Sequence, residues 1–457
     1  MNKLQPYDSY QSAELNFSTQ IPKDWNILRA KFILKEINER SLDGTERLLS
    51  VSEHKGVVPR DSINVNMFQA ENYTGYKMCN PGDVVINSLW AWHRGIGVAE
   101  HRGIVSTAYS VHRLKKPKEW NHRYLTYLLR TSAYVGEYLI RSKGIWESRL
   151  QLTASNFLDV PIIIPPLETQ NAIVVYLDRK TQKIQEFIRK KGRLIELLEE
   201  EKNYIINKAV TKGINSKCKL TKSKYEWIDQ SPFHWSVLRL RFLGYCQNGI
   251  SAEGDKFGKG LPFVSYSDVY KNSALPSQVD GLMDSTNKER ENYSVLSGDV
   301  FFTRTSETIE EIGFASTCLT TIKEAVFSGF LIRFRPKKNL LSPRFSKFYF
   351  RSIIHRAYFV KEVDLVTRVS LGQDLLKSLP VLLPPMDEQE EIAKFIEKEL
   401  NKRVVLVTKA QSEIEKAKEY QDSLITQIVT GQLKVPACNP DVTKRQNINA
   451  KPLTIST

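Results

Sequence analysis

Between Asn87 and Arg102 the chain gathers side chains suited to reading the edges of bases. Asn87, Trp90, Trp92, His93, Arg94 and Arg102 bring an amide, aromatic rings and cations into one short stretch. In a DNA major groove, Asn pairs with adenine and Arg with guanine through paired hydrogen bonds. Farther along, Thr303, Arg304, Thr305, Ser306 and Glu307 form a second such stretch, in which Glu can accept from a cytosine amino group. Lys256 and Lys259, in "AEGDKFGKG", suit phosphate contacts, which position a protein on DNA without specifying sequence. Each reading has a plainer alternative. Trp90 and Trp92 also have the spacing of core residues on one face of a strand, and the two lysines also suit a solvated loop.

Residues for catalysis are not arranged for it. Pro165-Pro166 and Pro384-Pro385 lack the polar residue before and the aromatic ring after that a base-methylating Asn-Pro-Pro-aromatic turn requires. The stretch "GKGLPF" from Gly258 has neither the spacing nor the hydroxyl of a phosphate loop. The seven histidines are scattered, and no G-x-S-x-G nucleophile motif occurs. The five cysteines show no C-x-x-C pair and no His at metal spacing, so a reduced, cytosolic chain without a metal site is expected. No apolar run approaches the ~20 residues that span a bilayer, and the first twenty residues lack a signal-peptide core.

The net charge is +15, and it is unevenly spread. Residues 1–167 carry +5 and residues 211–386 carry +8, whereas the segments 168–210 and 387–433 together carry −1. The excess lies in the two globular-looking halves, where it would attract a polyanion such as nucleic acid.

The elements that must position these residues come in two copies. "IPPLETQNAIVVYLDR" from Ile164 returns 219 residues later as "LPPMDEQEEIAKFIEK" from Leu383. "NKAVTKGI" ending at Ile214 answers "TQIVTGQL" ending at Leu433, at the same offset. "IPKDWNILRAKFIL" resembles "SPFHWSVLRLRFLG" at offset 210, and "PGDVVINS" resembles "SGDVFFTR" at offset 216. Trp25 and Trp235 fall in equivalent frames and read as core. The drift in offset is what duplicates accumulate in loops.

Each phrase opens a charged segment with a 3.5-residue apolar period. In the first, the seam runs through Leu177, Ile184, Ile188, Ile195 and Leu198; in the second, through Ile396, Leu400, Val407, Ile414 and Leu424, with Lys191 and Arg403 as polar interruptions. Prolines mark the starts, Asp387 with Glu390 has capping-box spacing, and Gly213 and Gly431 suit helix ends. Helices of ~42 residues, roughly 63 Å long, need a partner to cover the seam. The other copy, running antiparallel about a pseudo-two-fold axis, is the economical one. Packing back on the parent domain and pairing between two chains are the alternatives. Short strands ("DVVINSLW", "IVSTAYSVHRL", "DVFFTRT", "AVFSGFLIRFRP") alternate with helical stretches in each half, an α+β domain used twice.

On the repeated "PP[LM][ED]xQ" helix openings, the "VTKGI" and "VTGQL" ends, the "IPxxW"-like starts and the "PGDVVINS"/"SGDVFFTR" pair, residues 20–433 resemble the specificity subunit of type I restriction-modification systems. The resemblance implies a first target-recognition domain (21–164) after an N-terminal extension (1–20), a first long helix as spacer (165–214), a second recognition domain (215–383) and a second long helix (384–433); the polar composition of the remaining residues, 434–457, predicts a disordered tail. It implies a non-catalytic, cytoplasmic subunit that reads a bipartite, asymmetric site in double-stranded DNA. It implies docking of two methyltransferase subunits, which flip and methylate adenine, and of restriction subunits that translocate and cleave. S-adenosylmethionine, ATP and Mg are then expected only in those partners. Half-site centres about one turn, ~34 Å, apart are expected from geometry. The rival is a coiled-coil scaffold without DNA specificity, which leaves the basic excess of the globular halves unexplained.

Overall fold

The Pro-Pro phrases do start long helices. In the computed structural model, which describes residues 4–53, 55–63, 72–144, 150–225, 227–251, 253–306, 312–362 and 369–436, these helices run Leu167–Lys212 and Met386–Val429. The chain divides into two compact units, Met1–Lys190 with Ser412–Thr457, and Lys191–Gln411. Each helix therefore gives one half to each unit.

The first unit is built on a four-stranded antiparallel sheet in the order Leu34–Ile37, Tyr109–Leu114, Val84–Asn87, Ile96–Val98. Strand Asn26–Arg29 pairs with Pro161–Ile164, directly before the helix opening. Helices His122–Leu129 and Ser132–Arg141 cover the sheet, and Trp25, Tyr124, Tyr134, Tyr138 and Phe157 fill the core between them. The second unit repeats this plan. Its sheet has the order Gly244–Asn248, Leu331–Pro336, Val300–Thr303, Ala315–Thr317, and Ser236–Arg239 pairs with Pro380–Leu383. The outer strands differ. The first unit adds hairpin Leu49–Ser52/Gly56–Pro59, and the second adds Leu282–Met283, Phe257–Val264 and Val326–Phe327.

The seam follows the 3.5-residue period. In the first unit Leu177 and Leu424 share the core, Ile184, Ile188 and Ile414 are half-buried, and the Gln185 amide donates to Gln421 Oε1 at 2.9 Å. In the second unit Leu198 and Ile396 are buried and Ile195, Leu400 and Val407 half-buried. Leu194, Leu197, Val404 and Val405, apolar but off the seam, are exposed. Arg403 turns its interruption into an ion pair, donating to Glu201 Oε1 at 2.6 Å and Glu399 Oε2 at 2.9 Å. Within each unit the N-terminal half of one helix lies with the C-terminal half of the other, so the pairing is antiparallel.

Both glycines end their helices at positive φ, 71° for Gly213 and 79° for Gly431. A Cβ on Gly431 would collide with Pro22, and Trp25 packs beside it, so each "IPxxW"-like start seats a helix end: Trp235 lies likewise against Gly213. The buried Trp25 and Trp235 are core residues. Two expectations need correction. The capping box does not form, because the helix has already begun at Met386, with Gln389 N donating to Pro385 O at 3.0 Å, and Asp387 sits inside its first turn. The tail boundary at 434 is also too early. Lys434 pairs with Gln5 and bridges Asp8 at 2.7 Å, and Val435 is buried, which ties the residues after the second helix to the strands of the N-terminal segment. Residues 437–457 lie outside the described residues. Among the described residues, no helix is long and apolar enough to cross a membrane.

Candidate nucleic-acid interface

Two sets of residues emerge in each unit, a buried frame that the copies share and surface positions where they diverge. The frame explains the repeated phrases. Gln170, fully buried, donates to Pro165 O at 3.0 Å and Glu119 O at 3.2 Å, and accepts from Asn121 N at 2.8 Å. Gln389 donates to Pro384 O and Leu340 O, both at 3.0 Å, and accepts from Ser342 N at 2.8 Å. Asn121 and Ser342 are the N-caps of the equivalent helices His122–Leu129 and Pro343–Tyr349. One glutamine thus locks each long helix to the domain before it. Sequence reasoning found the motif without the role; the recurrence of Gln in both copies, three residues into a Pro-started helix, was the available signal.

The Asp of "PGD" and "SGD" is equally structural. Asp83 takes both Arg113 Nε and Nη2 at 2.9 Å, and Asp299 takes Arg335 Nε and Nη2 at 2.6 Å. Each also accepts a backbone N–H three residues upstream, at 2.8 Å. Its hydrogen bonds to Asp83 and Glu39 hold Arg113 protonated beyond its ordinary range; for Arg335 burial opposes the charge, and the Asp299 contacts still raise it. Arg130 and Arg351 are a third shared pair. Arg130 donates to the Ser52, Arg94 and Ile96 carbonyls, and burial lowers it to about 10; Arg351 donates to Val269, Ala315 and Tyr270 carbonyls. These cations tie loops together rather than face a ligand.

The divergent positions lie at the ends of the central strands. In the first unit the strand stops at Asn87, and Trp90 to Arg94 form a tight turn with a single 3-10 turn at Ala91–His93. The alternating-core reading of Trp90 and Trp92 fails for this reason. Trp90 is 52% exposed, and the exposed His93 ring lies 5.0 Å from Trp90 and 6.1 Å from the half-buried Trp92. Trp92 Nε1 is buried and has no hydrogen-bond partner among the described residues. Asn87 is half-buried, its amide donating to Tyr109 OH at 3.4 Å. Arg94, in a left-handed conformation at φ 59°, turns to Asp422 of the second long helix. Arg102 is exposed in the connection between Ile96–Val98 and Gly103–Val105, apart from that turn in sequence.

In the second unit Thr303 is corrected. It is fully buried inside the sheet, as are all four residues of Val300–Thr303, and offers DNA nothing. Arg304 follows it, half-exposed. Thr305–Ser306 forms a short ladder with Val369–Ser370, and Glu307 lies outside the described residues. The glycine-rich stretch is not an open loop. Lys256 closes a 3-10 turn, half-buried, and the exposed Lys259 sits on strand Phe257–Val264, which bulges where Gly258 and Gly260 take positive φ. Among the described residues no cluster of His, Cys, Asp and Glu could hold a metal ion.

A duplicated α+β domain with a common buried frame, divergent strand ends and a long helix after each copy defines a two-part recognition protein. The comparisons place it. Residues 61–199 and 247–416 match the type I restriction modification DNA specificity domain, and the chain belongs to that family. It is 23% identical over 441 residues to the type I restriction enzyme MjaVIII specificity subunit of Methanocaldococcus jannaschii, covering 92% of this chain and 95% of that one. It is 22% identical over 332 residues to the EcoKI specificity subunit of Escherichia coli K12, covering 71% and 68%. Its fold is that of a solved chain of a type I restriction-modification system, with TM-score 0.66, 16% identity and coverage of 90% and 99%. The HsdS subunit of Thermoanaerobacter tengcongensis follows, with TM-score 0.52, 17% identity and coverage of 90% and 98%. The chain is thus a type I specificity subunit, and DNA sequence recognition is its function.

Proposed function

We propose that each unit reads one half of a bipartite, asymmetric site in double-stranded DNA, and that the paired long helices set the gap between the halves. The observation that carries this reading is the contrast between the copies: the buried Asp–Arg, Gln and Trp frame recurs, whereas the exposed strand-end residues do not. Two copies with one scaffold and different readers suit an asymmetric target. The chain is non-catalytic and acts in the cytoplasm with two methyltransferase subunits and with restriction subunits, which carry S-adenosylmethionine, ATP and Mg. The exposed apolar residues off the seam, such as Val404 and Val405, suit a partner surface.

The test is a single-molecule methylome of cells carrying this protein with its neighbouring methyltransferase, compared with cells whose copy lacks the segment from Pro384-Pro385 onward. A split adenine-methylated motif with a fixed gap, lost on deletion, is expected. An unchanged methylome would return the scaffold reading to first place.

A further inference from the structure

The duplication supplies a comparison inside one molecule. At offset 216 the position of Arg304 corresponds to Ser88, which is buried. The strands leading to them, Val84–Asn87 and Val300–Thr303, occupy the same place in equivalent sheets. The second unit has therefore put a half-exposed guanidinium where the first has a small buried hydroxyl.

That guanidinium makes no hydrogen bond or ion pair with any described residue. Arg333, Arg335 and Arg351 of the same unit each donate to backbone carbonyls, Ser294 O for the first two and Tyr270 O for the third. The Arg304 backbone is nonetheless pinned on both sides, its N donating to Phe330 O at 3.0 Å and its O accepting from Leu371 N at 2.7 Å. A side chain presented from a fixed backbone with no partner among the described residues is pre-organised for an external one.

Its surroundings narrow what that partner is. Arg304 lines a cleft of about 330 Å³ with Phe257, Phe330, Thr305, Ser251 and Ser370. Phe330 is 63% exposed and Phe257 39%. Phe330 is held out by a tight turn whose Gly329 has no room for a Cβ: one would meet Ser251 Oγ at 2.5 Å and Ile250 O at 3.0 Å. Among the described residues no carboxylate lines the cleft, and those that do bring one planar cation, two apolar rings and small hydroxyls. A guanine edge offers two acceptors matching the guanidinium fork, and a neighbouring thymine methyl suits an exposed ring. The half of the chain holding it is also the more basic, at +8 over residues 211–386.

We infer that the second unit reads a guanine through Arg304, with Phe330 and Phe257 packing on the adjoining base edge. This rests on the proposed bipartite reading and names its chemistry in one half.

The experiment uses the full chain assembled with its methyltransferase subunits. Methylation rates are measured on duplexes carrying the cellular motif and every single-base change in the second half, for wild type, Arg304→Ala, Arg304→Lys and Phe330→Ala. Arg304→Ala is expected to reduce discrimination at one G·C pair by about 5- to 150-fold. Arg304→Lys, which keeps the charge without the fork, should recover only part of it. Phe330→Ala should weaken preference at the neighbouring pair, with the first half unchanged throughout. A uniform loss of rate with all base preferences retained would make Arg304 a phosphate contact or a folding residue and overturn the inference. So would a second half-site with no G·C pair. If no bipartite motif exists at all, the reading beneath it fails as well, an outcome distinct from the other two.

Discussion

Replacing Gln389 by Ala tests whether one buried amide fastens the second long helix to its domain. The substitution strands Ser342 N, Leu340 O and Pro384 O, which in the native structure lie 2.8 to 3.0 Å from the Gln389 amide atoms. Gln389 is 1% exposed, so water does not reach these groups without rearrangement. A buried donor or acceptor left unsatisfied costs ~1–3 kcal/mol. With one of the three partly rescued by relaxation, the loss is about 3 kcal/mol. For a unit of this size, 1 kcal/mol shifts Tm by roughly 2–4 °C, so a fall of about 6–12 °C is expected in the transition of that unit. Calorimetry measures the shift, and hydrogen exchange locates it, with the Ser342 amide losing protection first. Gln389→Glu keeps an acceptor for Ser342 N but removes both donations, and is expected to be at least as harmful. Gln170→Ala should reproduce the effect in the first unit, and the double variant should be additive because the sites share no partner. A Gln389→Ala protein melting within about 1 °C of wild type would refute the lock.

Asp299→Ala, which leaves the Arg335 guanidinium unpaired in its mostly buried place, should destabilise the second unit by about 3–5 kcal/mol in denaturant titration, and Arg335→Met added to it should restore part of the loss. His112 and His355, buried, are pushed down by desolvation to about 4 and about 3. The unfolded chain therefore takes up their protons first, so the stability they permit is complete above about pH 6.5 and falls as pH drops towards 4 and 3. At pH 5 each should cost its unit about 2 kcal/mol, and His112→Asn and His355→Asn should flatten the pH profile of the melting temperature between pH 6.5 and 5. Ile396→Ala, on the seam and fully buried, should cost ~2–5 kcal/mol, whereas Val405→Ala, 66% exposed, should stay within about 0.5 kcal/mol; equal effects would contradict the assigned register.

Much of the architecture was legible because it rests on local signals. Prolines exclude upstream helix, glycine permits the left-handed cap, and a 3.5-residue period selects Ile195 and Leu198 over Leu194 and Leu197, all within a few turns of chain. The equivalence of Trp25 and Trp235 was legible for a different reason: two copies in one chain must solve the same packing problem. The site was less legible. Thr303 and Arg304 are neighbours of similar polarity, yet one is sealed in the sheet and the other stands at a cleft.

What the sequence determined by itself is the duplication, the extent of both helices, the seam and the basic excess of the two halves. Tertiary structure alone decided that Gln170 and Gln389 are locks, that Asp83 and Asp299 are frame, and that Trp90 is exposed. It also decided that residues after the second helix close the first unit through Gln5 and Lys434. The physical reason is range. Caps and helical periods are fixed by residues within about seven positions of one another, but the partner of a buried amide or the exposure of a strand-end arginine depends on segments tens to hundreds of residues away, which only the packed chain brings together.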